Sequence, residues 1–449
     1  MKRRTALKAL AGTTLAVATA AGGPRVQAAT PLTALAGGRL IDGYGGPPLE
    51  DSVVLIEGER IVAIGSLHDT PIPTTATVVS TEGQSVLPGL WDACVSLSRL
   101  GHADGARWDE LYLPLAERVV MPLAAAGTVR AGVTAARDVG SPLDASLVQR
   151  GRLRSLASDS PHLAVSGPLI ARRRRPGTAT VLVDSPRAAR EQALALVRAG
   201  VDALVVADAE TFEDGELAAI VSVAHAAQST VHVLATHDGA LRPALAAGVD
   251  GLIGVGDGIG PWPAGFMEDV QARLLAGPPL VVASLLSPAA TLAYLSVSHE
   301  LLDDPRWTQG WPPLIAADVR SSLDDATLRE LAAAVPAAWR EERARRVAEL
   351  VRAGALVVAG SGAGSPAQLP GFALASEIEA LATDAGLGPL EALRRATYWA
   401  SVAAGVQHES GTVTVDKYAD LLCVRGDVLR HIDRLTDVSA VFRRGVRLV

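Results

Sequence analysis

Eight short apolar runs constrain the fold of this chain most, because amphipathic helical stretches separate them in regular alternation. Each run has the length and apolar character of a buried strand. The runs cover residues 85–95, 133–139, 162–165, 203–207, 230–235, 251–255, 280–284 and 355–359, and helical patterns cover 186–199, 215–227, 325–352 and 390–404. Alternating strands and helices with right-handed connections predict a (β/α)8 barrel, also called a TIM barrel, over residues 87–404.

Both ends of the chain carry a different pattern, in which turn residues interrupt short alternating apolar runs. This pattern extends from residue 32 to residue 86 and returns between residues 412 and 449. Alternation with a period of two is typical of strands in a sheet. We therefore predict that residues 31–86 and 405–449 join in one small β-sandwich beside the barrel.

The first 28 residues have the features of a targeting segment. A basic start precedes an apolar run over 9–21, and small residues follow around 26–29. We predict a signal peptide and no stable membrane insertion, because the apolar run is shorter than the roughly 20 residues that span a bilayer. The string from residue 3 to residue 8 resembles a twin-arginine export signal, although Ala6 stands where a larger apolar residue is usual. Ordinary secretion is the alternative, and either route predicts a periplasmic or extracellular protein.

The formal net charge of −7 at pH 7 predicts an acidic surface. Such a surface does not attract nucleic acid over its whole area, so no nucleic-acid partner is expected. The two cysteines, Cys94 and Cys423, lie far apart in segments of different predicted modules. This placement excludes both a disulfide framework and a metal site built from cysteines.

Six short motifs follow one another along the chain. They are GGRLIDG at 37–43, VLPGLWDA at 86–93, AGVTAARDVG at 131–140, AGVD at 247–250, EALRRAT at 391–397 and KYADL at 417–421. In this order they resemble the amidohydrolase superfamily, in particular its imidazolonepropionase-like and Xaa-Pro dipeptidase-like branch. The resemblance implies a (β/α)8 barrel and metal-assisted hydrolysis at the C-terminal ends of the barrel strands.

The resemblance also implies which strand positions hold one or two divalent ions. These are a His-x-His pair on the first strand, a carboxylated lysine on the fourth, single histidines on the fifth and sixth, and an aspartate on the eighth. In this sequence the six positions carry Cys94, Ser96, Val205, Leu234, Gly254 and Gly362, respectively. Only Cys94 could bind a metal, and one thiolate falls short of the about three protein ligands that a mononuclear site needs.

The lysine content supports the same prediction. Lysine occurs only at positions 2, 8 and 417. The first two lie in the predicted signal peptide, and Lys417 belongs to the closing motif outside the barrel, so no carboxylated lysine can bridge two metals. We therefore expect a vestigial site without a metal, and no cofactor.

Four residues are candidates for catalysis at this vestigial site: Cys94, Ser96, Asp138 and His237. Cys94 and Ser96 share a face of the first strand, and a thiolate at a barrel mouth would be reactive. His237 follows the fifth strand, close to His232. Asp138 on the second strand and His102 after the first could join it in a relocated site. The alternatives are an inert buried cysteine and histidines that are satisfied in the core or rim.

Four consecutive arginines follow the third predicted strand, on the face where a barrel holds its active site. They are Arg172, Arg173, Arg174 and Arg175. Guanidinium groups bind carboxylates and phosphates, so this run is a candidate site for a small anionic molecule at the barrel mouth. The alternative is a solvated loop, which is the usual role of a run of charges.

The connection between the seventh and eighth predicted strands, residues 287–323, is longer than most loops and contains Trp307 and Trp311. Its length is typical of a lid or a binding element. An insertion packed against the barrel wall is the alternative.

These observations predict an exported amidohydrolase-like protein that lacks the metal site of the family, a pseudoenzyme acting as a binding or scaffold module. The alternative is an active amidohydrolase that hydrolyses a C–N bond of an amide, cyclic amide or dipeptide, with a relocated metal or with none. A copy that folds but has lost any selected role is a third interpretation. The sequence indicates neither a substrate nor an oligomeric state.

Overall fold

The computed structural model describes residues 31–152, 160–213, 215–295, 298, 300–335 and 337–449. The predicted signal peptide, residues 1–28, lies outside the described residues. Within the described ranges, no helix is both long enough and apolar enough to span a membrane.

Strands and helices alternate through the middle of the chain, and strands dominate its ends. The strands are β1 (Leu32–Leu40), β2 (Leu49–Glu57), β3 (Arg60–Ser66), β4 (Thr77–Ser80), β5 (Gln84–Pro88), β6 (Leu90–Val95), β7 (Val133–Asp138), β8 (His162–Val165), β9 (Leu169–Ala171), β10 (Thr180–Leu182), β11 (Ala203–Ala207), β12 (Thr230–Leu234), β13 (Gly251–Ile253), β14 (Val281–Ala283), β15 (Leu356–Val358), β16 (Leu421–Arg425), β17 (Val438–Arg443) and β18 (Val446–Arg447). The helices are α1 (Gly105–Leu111), α2 (Met121–Arg130), α3 (Leu143–Arg152), α4 (Pro186–Ala199), α5 (Glu216–Ala226), α6 (Leu241–Ala246), α7 (Phe266–Ala276), α8 (Ser287–Leu295), α9 (Glu300–Asp303), α10 (Pro313–Ser322), α11 (Asp325–Ala333), α12 (Ala337–Ala353), α13 (Ala373–Thr383), α14 (Pro389–Arg395) and α15 (Tyr398–Ala403).

Each of the eight predicted apolar runs contains a barrel strand, and the barrel strands are parallel. β6, β7 and β8 form one sheet, while β9 and β11 to β15 continue around the barrel. The third barrel strand is split, because β8 pairs with β7 whereas β9 pairs with β11. The ring closes between β6 and the chain around β15, where the Ala93 amide donates to the Ala359 carbonyl at 2.9 Å. The prediction of a (β/α)8 barrel is confirmed.

The two ends of the chain form one eight-stranded sheet. β5 pairs in parallel with β1 from the N-terminal segment and antiparallel with β16 from the C-terminal segment, where Leu87 lies opposite Leu422. Side chains alternate between two buried faces, since Leu35 packs in one cluster and its neighbour Ala34 in another. The predicted union of both chain ends in a small β module is confirmed.

Helix α4 illustrates how the local sequence determines an element. Ser185 caps its N-terminus by accepting a hydrogen bond from the Ala188 amide at 3.2 Å. Gly200 ends the helix in the left-handed conformation with φ of 89°. Ala193 and Leu196 are buried on its inner face. The observed bounds match the predicted range because both termini have strong local signals.

The connection between β14 and β15 begins with α8, α9 and α10. Trp307 and Trp311 are buried in the main core, and their ring centroids lie 5.2 Å apart in an edge-to-face arrangement. Of the two interpretations left open above, the structure supports an insertion packed against the barrel.

Candidate functional site

The C-terminal ends of the barrel strands and the loops that follow them form what we call the barrel mouth. Cys94, Val205 and Ile253 are buried there in one apolar cluster, and Leu234 packs against it. Cys94, Val205 and Leu234, which stand at three of the six positions where the resemblance implies metal ligands, thus belong to this apolar cluster or pack against it. Hydrocarbon side chains offer no oxygen, nitrogen or sulfur ligand to a metal.

Glycine occupies two further vestigial positions, at points where the backbone turns. Gly254 and Gly362 have φ of +91° and +65°, in the left-handed region. A Cβ on Gly254 would lie 3.0 Å from the Ala235 carbonyl oxygen, and one on Gly362 would lie 3.3 Å from Leu285 Cδ2. A histidine or an aspartate at either position would therefore be strained.

Cys94 and Ser96 complete the six positions. Burial raises the pKa of Cys94 to about 12, and the charge of Asp92 adds to the effect. The thiol is therefore protonated at neutral pH and is a poor nucleophile. In the described part of the chain, the Ser96 hydroxyl has no hydrogen-bond partner.

Asp138 lies at the end of β7, but its oxygens are engaged by neighbouring groups. They accept hydrogen bonds from the Leu97 amide at 2.9 Å and from the hydroxyls of Ser141 and Ser146, each at 2.7 Å. These contacts fasten the loop after β6 to α3. They indicate a structural role for Asp138.

The histidine on the fifth barrel strand and the histidine that follows this strand contact different residues. His232, on β12, is 2% exposed, and its Nδ1 lies 3.3 Å from Arg137 Nη1. Burial, and then the charge of Arg137, hold its pKa well below the usual range. His237 follows β12, and its Nδ1 lies 2.7 Å from Asp257 Oδ2 in a largely exposed pair. The structure does not bring the two imidazoles together.

His102 belongs to a third network. Its Nδ1 accepts a hydrogen bond from the Asp104 amide at 3.0 Å, and its Nε2 lies 3.4 Å from Asp318 Oδ2. The Tyr112 hydroxyl and the Arg107 guanidinium donate to the same carboxylate, beside a cavity of about 580 Å³. Sequence patterns did not indicate Asp318, because it comes from α10, about two hundred residues further along the chain.

The arginine run lies in the turn between β9 and β10, on the predicted side of the barrel. Its first and last members are neutralised, since Arg172 donates to Glu216 at 2.9 Å and Arg175 donates to Asp208 at 2.5 Å. The middle two are exposed. The run therefore provides two anchored guanidinium groups and two exposed ones, of which Arg174 has its Nη2 3.9 Å from Asp109 Oδ2.

The family model described as the amidohydrolase family matches residues 86–448. The chain belongs to the amidohydrolase family. The resemblance carried by the six motifs is thereby confirmed.

Solved structures of amidohydrolases show the same fold over nearly the whole chain. A Xaa-Pro dipeptidase with methionine bound in its active site is 18% identical with a TM-score of 0.72, covering 93% of this chain and 99% of that chain. A candidate prolidase from Bifidobacterium longum is 22% identical with a TM-score of 0.70, and the match covers 93% of this chain and 95% of that chain. Molinate hydrolase is 20% identical with a TM-score of 0.66, and the match again covers 93% of this chain and 95% of that chain. No curated protein sequence matches significantly.

Membership of the amidohydrolase family implies one or two bound metal ions. The residues at the barrel mouth do not fit such ions. The six positions carry a buried thiol, a hydroxyl, two hydrocarbon side chains and two glycines. Across the residues that the structure describes, no three histidine, cysteine or acidic side chains are grouped so as to hold a metal ion. We therefore assign no catalytic step to a metal.

Two buried carboxylates brace the mouth of this amidohydrolase-family protein. Asp92 accepts hydrogen bonds from the amides of Cys94 at 3.1 Å and Ser361 at 2.9 Å, and burial raises its pKa to about 7. Glu377, from α13, accepts a hydrogen bond from the Leu286 amide at 3.0 Å, and burial raises its pKa as well. Both carboxylates fix the backbone of loops that follow barrel strands.

Sequence reasoning missed two arginines of α12 that reach the mouth. Arg346 is fully buried, forms a bidentate ion pair with Asp238 at 2.6 and 3.1 Å, and donates to the Val255 carbonyl at 3.0 Å. Arg343 is 4% exposed, and its Nη2 lies 3.5 Å from the position that a Cβ on Gly254 would take. Their spacing of three places them on one helix face, but only the packing shows which face meets the mouth.

Proposed function

We propose that this amidohydrolase-family protein is exported and acts as a binding or scaffold module instead of a metal-dependent hydrolase. The apolar cluster of the barrel mouth carries the proposal, because Cys94, Val205 and Leu234 pack where the resemblance implies metal ligands. Hydrolysis of the kind that this family performs needs a bound ion that activates water. Side chains that cannot hold the ion cannot support that reaction.

The position of Lys417 supports the same proposal. Lys417 is 6% exposed in the module of the chain ends, where its Nζ donates to Thr412 Oγ1 at 2.6 Å and to the Gln407 carbonyl at 2.5 Å. The amine is engaged there, and β11 contains no lysine that could take up carbon dioxide to bridge two metals.

Elemental analysis of purified protein without the signal peptide tests the proposal. We expect substoichiometric zinc, iron and manganese after dialysis. We also expect no hydrolysis of Xaa-Pro dipeptides or N-acyl amino acids above the buffer rate, with or without added Zn²⁺ or Mn²⁺. A metal-dependent prolidase of the same fold serves as the positive control. Stoichiometric metal that survives dialysis, together with hydrolysis that depends on it, would contradict the proposal.

Hydrolysis without a metal would instead establish the alternative of an active enzyme. The variants Cys94→Ser and Ser96→Ala then test whether the vestigial site carries the activity. Cys423→Ser is the matched control, because Cys423 is also a buried free cysteine but belongs to the sheet formed by the two chain ends.

A further inference from the structure

A cavity of about 390 Å³ lies between helices of the barrel wall and the C-terminal segment. Helices α8, α9 and α13 supply most of its lining, α12 adds Arg340, and Thr436 comes from the segment between β16 and β17. A cavity of this volume suits a small organic molecule. None of the six vestigial positions lines it, so the cavity is separate from the barrel mouth.

The two arginines that line the cavity are paired with aspartates. Arg306 Nε donates to both oxygens of Asp304, at 2.8 and 3.0 Å. Arg340 donates to both oxygens of Asp384, at 2.6 and 2.9 Å. Each arginine is therefore already neutralised by a carboxylate of its own.

Glu379 carries an unbalanced negative charge at this cavity. It is an exposed residue of α13 that lines the cavity, so a bound molecule can reach its carboxylate. Among the described residues, none donates a hydrogen bond to that carboxylate or forms an ion pair with it. Partial burial, and then the charges of Asp433 and Asp384, raise its pKa, whereas the opposing effect of Arg340 is the smallest of the four. The electrostatic field at Glu379 is therefore negative.

The rest of the lining combines a second carboxylate with apolar groups. Glu300 accepts a hydrogen bond from the Tyr294 hydroxyl at 3.1 Å, and this neutral donor leaves the charge of Glu300 unbalanced. The rings of Tyr294 and Phe372 and the side chains of Ala290 and Leu301 provide the apolar surface. Within the described ranges, no three histidine, cysteine or acidic side chains are grouped to hold a metal ion. Negative charge beside apolar surface suits an organic cation instead.

We infer that this cavity binds a small organic ammonium ion, whose N–H groups donate to the Glu379 carboxylate and whose apolar body rests against Phe372 and Tyr294. Hydrogen bonds between an ammonium group and a carboxylate are charge-assisted and therefore strong. The faces of aromatic rings also attract cations. The inference goes beyond the proposed function and does not depend on it, because the cavity shares no residue with the apolar cluster of the mouth.

Calorimetric titration and thermal unfolding of the purified chain without its signal peptide test the inference. The probe is benzylamine, which is protonated at pH 7. Benzyl alcohol tests the need for charge, benzyltrimethylammonium tests the need for N–H donors, and sodium chloride at equal ionic strength is the reference. We expect benzylamine to bind saturably and to raise the Tm by several degrees, benzyltrimethylammonium to bind more weakly, and benzyl alcohol and sodium chloride to show no saturable effect.

Two variants assign the binding to this cavity. Glu379→Gln removes the unbalanced charge at an exposed position, so we expect it to fold normally and to bind benzylamine at least tenfold more weakly. Ala290→Leu keeps every charge and fills part of the cavity, so it should also weaken the binding. Glu110→Gln is the matched control, because Glu110 is an exposed glutamate that does not line the cavity.

Three results would overturn the inference. Benzyl alcohol that binds as well as benzylamine would show that the cavity does not select a cation. Benzyltrimethylammonium that binds as well as benzylamine would refute hydrogen bonding from N–H groups to Glu379. Unchanged benzylamine binding by Glu379→Gln or by Ala290→Leu would place the amine elsewhere. The metal content of the same preparation bears only on the proposed function, so the two proposals can fail separately.

Discussion

Burial determines the chemistry of the titratable residues at the barrel mouth. It raises the pKa of Cys94 to about 12, raises the pKa of Asp92 to about 7, and lowers the pKa of His232 well below its usual range. Each shift favours the neutral form of the group. A thiol that stays protonated is a poor nucleophile, so burial leaves Cys94 unactivated.

Replacing Asp92 with Asn should reduce the pH dependence of stability. The pKa of Asp92 is raised from its ordinary 3.8 to about 7, so the folded chain holds this proton more tightly than the unfolded chain does. Its contribution to stability is therefore complete below the unfolded pKa and is lost as the pH rises towards 7. We expect Asp92→Asn to gain up to about 4 kcal/mol relative to the unaltered protein between pH 4 and pH 8.

Urea unfolding of both proteins across this pH range measures the difference. The exposed Asp51→Asn is the control for the general effect of replacing an aspartate with asparagine. A constant difference for Asp92→Asn would mean that Asp92 is ionised throughout the range.

At the scale of elements, the glycine-rich loop after β13 packs its backbone closely against the ion pair of Asp238 and Arg346. A Cβ on Gly258 would lie 2.0 Å from Asp238 Oδ2 and 2.8 Å from Arg346 Nη2. Gly258→Ala should therefore separate this ion pair and lower the free energy of unfolding by about 2 kcal/mol or more. Gly46→Ala is the matched control, because nothing lies within 4 Å of its Cβ position and neither glycine has a left-handed φ. Chemical denaturation that shows equal losses for both variants would contradict this account.

The elements were predictable where local signals are strong. Helix α4 begins after a serine cap and ends at a left-handed glycine, and the predicted bounds match. The split of the third barrel strand was not predicted, because Gly167, with φ of +67°, turns the chain between β8 and β9 in a way that a four-residue apolar run does not reveal. Periodicity identifies strands, whereas breaks within them depend on single residues.

The candidate site was predictable only where it is built from strand tips. Cys94, Val205 and Leu234 lie on the predicted barrel strands, in or against one apolar cluster, whereas their correspondence to the metal-ligand positions of the family stays a prediction. Arg343 and Asp318 were missed, since they come from helices whose inner faces are decided by packing across the whole molecule. Sequence periodicity is a local signal, so it does not show that a residue on a distant helix lies beside the strand tips.

At the scale of the whole molecule, the pairing of β5 with β16 joins residues more than 330 positions apart. The module of the chain ends can therefore close only after the complete chain has been made. This topology does not distinguish the two export routes, because a chain that is secreted unfolded is also complete when it folds. Only the string from residue 3 to residue 8 favours the twin-arginine route within the proposed export.

Replacing Arg3 and Arg4 together with Lys should block export, because the twin-arginine route needs the paired arginines whereas ordinary secretion needs only the positive charge that lysine keeps. Cell fractionation with a protease-resistance assay should find folded protein outside the cytoplasm for the unaltered chain and inside it for the double variant. Lys2→Arg is the control and should be exported normally. A double variant exported as well as the unaltered chain would assign the protein to ordinary secretion, and retention of the unaltered chain in the cytoplasm would contradict export itself.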